Sequence, residues 1–210
     1  TSMRRFIILW SGQLFSLLGS GLTGFALAVW IFEKTGQATP FAITVLLGNL
    51  PALLLSPLAG SLADRWNRKT IMLLADTGSA AFTLLAASIV WFGSLEVWHI
   101  YLIAFGSSVF RAFQEPAYLS AIPTLVPKKD LPRANGLGQL SQAVEMMITP
   151  LLAGVLYITV GLRVIFLIDF LTYFAALFTL LITVVPQPKA EASTHKSGFA
   201  TMLADAKVGF

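Results

Sequence analysis

Gly60-Ser61-Leu62-Ala63-Asp64-Arg65-Trp66-Asn67-Arg68-Lys69 is the stretch on which the fold turns. Its last six residues carry one acid, three cations and an asparagine, an abrupt change from what surrounds them. Before them runs Pro40–Ala63 and after them Thr70–Phe92, both apolar along nearly their whole length. A helix that crosses a bilayer needs about 20 predominantly apolar residues. Each flanking run is long enough, so the decapeptide reads as a short basic turn joining two membrane spans.

Four more runs of that kind lie outward from it: Phe6–Phe32, Trp98–Ile122, Asn135–Val160 and Arg163–Val185. The breaks between them are compact: Glu33 to Gly36, Gly93 to Glu96, Pro127 to Arg133, and Gly161. Composition agrees. Of the 210 residues 56% are hydrophobic and only 11% charged, against about 25% charged in an ordinary soluble domain. The surface of such a chain must face lipid. The first run is too long for the apolar core of a signal peptide, and a second follows almost at once. The expected fold is therefore all-α, a membrane protein of six transmembrane helices over residues 1–185.

Cations sort by side. Arg4, Arg5, Arg65, Arg68, Lys69, Lys128, Lys129, Arg133, Lys189, Lys196 and Lys207 fall at one end of the spans, Lys34 and Arg163 at the other, and Arg111 within one. Basic residues accumulate on the cytoplasmic side of membrane helices, so both ends of the chain are expected in the cytoplasm, with the chain crossing the plasma (inner) membrane several times. The net charge of +4 is explained by this topology, and nucleic acid is not an expected partner. Trp10, Trp30, Trp91 and Trp98 lie near span ends, as interfacial anchors do. Gly12, Ser16, Ser20 and Gly24 form a small-residue stripe suited to close helix packing.

From Pro186 the chain turns polar, and after it Phe199, Met202, Leu203, Ala206 and Phe210 recur at helical spacing. Residues 186–210 read as a cytoplasmic linker with the start of a surface-lying amphipathic helix, cut short at Phe210. Internal repetition is also visible: Ser56-Pro57-Leu58-Ala59-Gly60 in the second span and Thr149-Pro150-Leu151-Leu152-Ala153-Gly154 in the fifth. An inverted three-plus-three repeat pairs these two spans.

The decapeptide resembles the signature loop of the major facilitator superfamily, Gly-x-Leu-Ala-Asp-Arg-x-Gly-Arg-Lys, departing from it at Asn67, where asparagine can take up glycine's left-handed backbone angles. It also falls between spans two and three, as in that family. Arg111-Ala112-Phe113-Gln114 resembles the family's fourth-helix Arg-x-x-Gln, with Glu115 in place of glycine. Thr149 to Gly154, with Pro150 and Gly154, resembles a degenerate form of the fifth-helix motif of antiporters. Leu131 to Gly136 is similar to the branch holding macrolide-efflux proteins and the enterobactin exporter. The resemblance implies the N-terminal half of a twelve-helix secondary transporter, with six further helices as partner, exporting a small amphipathic molecule in exchange for protons. It also implies a latch in which Gly60 lets helices approach, Asp64 accepts from helix N-terminal amides, and Arg65, Arg68 and Lys69 bridge to neighbouring ends. An uptake or lysophospholipid-flipping carrier of the same superfamily is the alternative.

Charges within the spans are the candidate machinery, since each costs about 2.5–3.5 kcal/mol at mid-bilayer. Arg111 and Glu115 share a helix face, and Glu145 lies at matching depth. They form either a proton-exchanging cluster in the inner half of the cavity or a static ion pair between spans four and five. Asp76, near the cytoplasmic end of span three, is expected to pair with the signature-loop arginines. Asp169 either lines the cavity or caps an outer network. Gln13, Asn49, Gln139 and Gln142 are candidates for touching cargo or for bonding helix to helix.

Rival functions fit less well. His99 and His195 are the only histidines, there is no cysteine, and no nucleophile–base pair or metal-ligand spacing falls within a span. Neither an enzyme nor a cofactor or metal site is expected. A channel needs a filter or a ring of one charge, whereas these charges are mixed and scattered. A self-contained six-helix scaffold leaves the signature loop unexplained.

Overall fold

A computed structural model describes residues 2–186, apart from the side chain of Asp64. The linker and amphipathic helix expected over residues 187–210 lie outside the described residues. Six long helices follow one another: α1 (Met3–Thr35), α2 (Ala38–Arg65), α3 (Arg68–Phe92), α4 (Val97–Leu125), α5 (Leu131–Thr159) and α6 (Gly161–Ile182), with a 3-10 turn at Lys128–Asp130. Each begins and ends within a few residues of an apolar run. Five are long and apolar enough to cross a membrane by themselves. The exception is α4, whose Arg111, Gln114 and Glu115 interrupt its apolar length. It is held by packing instead, seated against both α2 and α3.

Which helix touches which follows a pattern. The principal neighbours of α1 are α5 and α6, those of α4 are α2 and α3, and α3 meets α6. Exchanging α1 with α4, α2 with α5 and α3 with α6 leaves this pattern unchanged. Equivalent helices are three apart, and alternate helices run in opposite directions, so the two triplets are inverted. This is the three-plus-three repeat, with α1 and α4 central. Pro57 in α2 and Pro150 in α5 both sit inside continuous helix.

The joints are short. Gly36 (φ 62°) and Gln37 separate α1 from α2, Trp66 and Asn67 separate α2 from α3, and Val160 alone separates α5 from α6. Gly161 opens α6 at φ 77°, left-handed backbone that a side chain resists. At Asn67 the expectation fails: its φ is −64°, and its side chain instead accepts a hydrogen bond from the Thr70 amide at 3.2 Å. Asparagine stands there as an N-cap, so glycine's freedom is not needed. Helical structure also runs through Asp64 and Arg65, reducing the signature loop to two residues.

Of three buried apolar clusters among the described residues, two fill the ends of the bundle. One, around Phe6, Leu9, Met72, Leu125 and Leu180, fills the end that carries Arg4, Arg5 and the signature segment. The other, around Leu27, Ile31, Ile100 and Phe166, fills the opposite end. At the first end the Ser2 amide donates to the Leu125 carbonyl at 2.8 Å. Lys69 donates there to the carbonyls of Leu181 (2.8 Å) and Thr183 (2.9 Å), where α6 finishes. A cation satisfying the last carbonyls of a helix stabilises it by about 0.5–1 kcal/mol. Lys69→Met in the full-length protein is therefore expected to accelerate amide hydrogen exchange over residues 179–183, and unaltered exchange there would remove the capping role.

Candidate functional site

The charged centre lies on the α4–α5 face. The Arg111 guanidinium donates to Glu145 Oε1 at 3.3 Å, an ion pair between α4 and α5 with the Arg111 side chain 52% exposed and that of Glu145 21%. Glu115, one turn along α4, is exposed and lines a groove beside α2. There a groove of about 440 Å³ runs between the helices, lined by Leu46, Asn49, Leu50, Leu53, Ser56 and Glu115. The Arg111–Glu145 contact was foreshadowed by depth along each span. The groove was not, because hydropathy says nothing about which helices lie side by side.

Behind this face runs a hydrogen-bonded chain. Gln114 Nε2 donates to Gln13 Oε1 at 2.6 Å, and Gln13 Nε2 donates to Asp76 Oδ2 at 3.0 Å. Three helices, α4, α1 and α3, are thereby tied together. Asp76 is thus bonded to Gln13 and not to the signature-loop arginines, since an aspartate two turns into α3 is too far along the axis and its side chain is short. Gln13 is buried and its amide is engaged at both ends, which removes it from the surface that cargo could reach.

A second polar centre sits nearer the opposite end. Asp169 is buried, accepting from Ser20 at 3.1 Å and from Thr83 at 3.0 Å. It caps an interhelical network of α1, α3 and α6 rather than lining the groove. Near the same end the Tyr157 hydroxyl donates to Glu33 at 2.7 Å, joining α5 to α1. This bond was not foreseen; a carboxylate at the end of one run and a tyrosine at the matching end of another were its only trace.

The remaining candidates divide. Asn49 lines the groove while donating to the Val45 carbonyl of its own helix at 2.8 Å. Gln139 and Gln142 are exposed on α5 and do not line that groove. Gly60 and Gly154 have open space where a Cβ would stand, so among the described residues neither provides a close helix approach. Gly12 does, against Thr179 and Ala175 of α6, and Gly24 of the same stripe does not. The Trp10 indole N–H donates to Ser141 Oγ at 2.8 Å and to the Leu137 carbonyl at 3.1 Å, bracing α1 on α5. Trp91 and Trp98 are exposed near helix ends.

Comparison with known proteins matches these features. Residues 9–207 fit the family profile of the Major Facilitator Superfamily. Macrolide efflux protein A of Streptococcus pyogenes is 33% identical over 183 residues, which are 87% of this chain and 45% of that protein. Enterobactin exporter EntS of Citrobacter koseri is 30% identical over 148 residues, 70% of this chain and 35% of that protein. The solved structure of a bacterial homologue of the human lysosomal transporter Spinster, inward-facing and unoccupied, superposes with a TM-score of 0.67 at 20% identity, over 96% of this chain and 48% of that one. The chain spans about half the length of the curated relatives it matches. With its family profile, its relatives and its inverted triplets in agreement, this chain belongs to the major facilitator superfamily.

Proposed function

We propose that the full-length protein is a proton-coupled exporter of a small amphipathic molecule, working by alternating access in the cytoplasmic membrane. This chain supplies the N-terminal six helices, with both its ends in the cytoplasm, and six further helices complete the cavity. The observation that carries the reading is the Arg111–Glu145 pair with Glu115 one turn away, charges midway along apolar helices, of which Glu115 lines a groove with apolar walls. Charge held inside a membrane bundle marks transport pathways and proton relays. Glu145 is the proposed proton-exchanging group, with Arg111 compensating its charge while it is ionised. Asp64, Arg65 and Arg68 are proposed to latch the entrance against the other half. The efflux proteins among its relatives favour export over uptake.

The test is accumulation in cells with and without the full-length protein, using a macrolide, a fluorescent dye and a catechol siderophore. Expression is expected to lower the accumulation of at least one of them, and an uncoupler to restore it. Lowered accumulation that an uncoupler leaves untouched would rule out proton coupling, and raised accumulation would mark an uptake carrier.

A further inference from the structure

We propose that Asp169 and the three hydroxyls around it form a binding site for a sodium ion, which ties α1, α3 and α6 together away from the Arg111–Glu145 pair. The site goes beyond the transport reading and does not depend on it.

Asp169 lies within α6 and is 4% exposed. Its Oδ1 accepts from Ser20 at 3.1 Å and its Oδ2 from Thr83 at 3.0 Å, so α1 and α3 close on it from two sides. Among the described residues no lysine, arginine or histidine stands at ion-pair distance from it. A carboxylate buried without a partner charge is costly in its ionised state. Hydroxyl donors soften that cost but leave the charge itself uncompensated.

Thr23 supplies a second, independent observation. It stands nearly one turn of α1 beyond Ser20, is 6% exposed, and faces the same carboxylate. Its Oγ1 is nevertheless buried without a hydrogen-bond partner. An unpaired buried hydroxyl is unfavourable, and coordination to a cation would satisfy its oxygen.

The donor set fixes the class of ligand. Two carboxylate and three hydroxyl oxygens converge from α1, α3 and α6, with no nitrogen or sulfur among them. Such a set suits a hard cation. One carboxylate balances a single positive charge, which disfavours calcium and magnesium, since these usually take more carboxylates or keep bound waters. Oxygens spaced at 3.0 and 3.1 Å suit a small ion, sodium rather than potassium. Gly19 keeps α1 this close, since a Cβ there would stand 3.0 Å from Asp169 Oδ1. Ser20 is exposed, which gives the ion a way in.

Thermal unfolding of the purified full-length protein in sodium, potassium and choline chloride at equal ionic strength is the test, with binding of radiolabelled sodium measured by equilibrium dialysis. Sodium is expected to raise the melting temperature progressively with concentration, as a ligand of the folded state does, and potassium and choline are not. Asp169→Asn is expected to abolish both the rise and the binding. Thr23→Val separates a ligand from a merely structural residue. Valine keeps threonine's shape, and the hydroxyl it removes makes no hydrogen bond within the protein. Melting in choline is therefore expected to stay as in the native protein, while sodium binding weakens by about tenfold or more. One melting temperature in all three salts, sodium binding that survives Asp169→Asn, or sodium binding that ignores Thr23→Val would overturn the proposal. So would stabilisation by acid alone, which would assign the carboxylate a proton instead. Accumulation of cargo in cells is a separate readout: its failure to change would end the export reading and leave the sodium site standing, and the converse holds.

Discussion

Arg111→Gln is expected to cut proton-driven transport by the full-length protein by about 30-fold or more, with the protein still inserted in the membrane. In the native arrangement the guanidinium answers Glu145 at 3.3 Å. Glutamine can still hydrogen-bond but cannot compensate charge, so Glu145 loses its guanidinium partner. Truncating one member of a desolvated charge pair typically costs 2–5 kcal/mol, a factor of roughly 30 or more in an equilibrium or rate. The half-exposed guanidinium places this pair toward the lower end of that range. Arg111→Gln combined with Glu145→Gln restores charge balance but removes the proposed proton site. The double variant is therefore expected to recover detergent stability without recovering proton-driven transport. Proton flux in reconstituted vesicles and thermal unfolding read the two separately. Native transport in Arg111→Gln, or in Glu145→Gln alone, would reduce the pair to a fastening between α4 and α5.

The second large effect is steric. Gly12→Val is expected to prevent the protein from accumulating in a folded form, and Gly12→Ala to lower its apparent melting temperature, by a loss of about 1–3 kcal/mol. A Cβ at position 12 would stand 2.8 Å from the Ala175 carbonyl oxygen and run into the Thr179 hydroxyl. The hydroxyl can rotate away, but the carbonyl belongs to the α6 backbone and cannot. The two helices must separate, and the contacts on both sides of the crossing are lost with them. Gly19 faces the same helix a further two turns along, against Thr172 and Asp169, so Gly19→Ala is expected to resemble Gly12→Ala. Gly24→Ala is the comparison, since among the described residues no atom of a neighbouring helix lies within 4 Å of the added carbon. Thermal unfolding monitored by fluorescence size-exclusion measures all four. Equal melting temperatures for Gly12→Ala and Gly24→Ala would mean that α1 and α6 are not held this close.

The two predictions also mark what the amino-acid order disclosed. Length and apolarity were enough for the spans, because a bilayer imposes one thickness on every crossing. The Arg111–Glu145 pairing was legible for the same reason: depth can be counted from the end of each run. Lateral position cannot be counted. That Asp76 meets Gln13, that Trp10 reaches Ser141, and that Gly12 but not Gly24 touches α6 depend on how the helices are ordered and rotated around the bundle. The signature segment misled in a different way. Its charges marked Asp64 to Lys69 as a break between spans, yet aspartate and arginine are acceptable in a helix, and the last turn of α2 incorporates both. The Asp169 network stayed ambiguous because serine and threonine are as much at home in plain membrane-helix packing as in a polar cluster.

The single residue between α5 and α6 constrains how this half can move. A linkage made of Val160 alone, followed at once by a glycine at φ 77°, has no slack in which to store a displacement. Nor do the two-residue joints at Gly36-Gln37 and Trp66-Asn67. Levers coupled so tightly hand on torque instead of absorbing it. A tilt begun in α2 would pass to α1 and α3 with little attenuation, and one begun in α5 would pass to α6, so these helices would swing together rather than bend one by one.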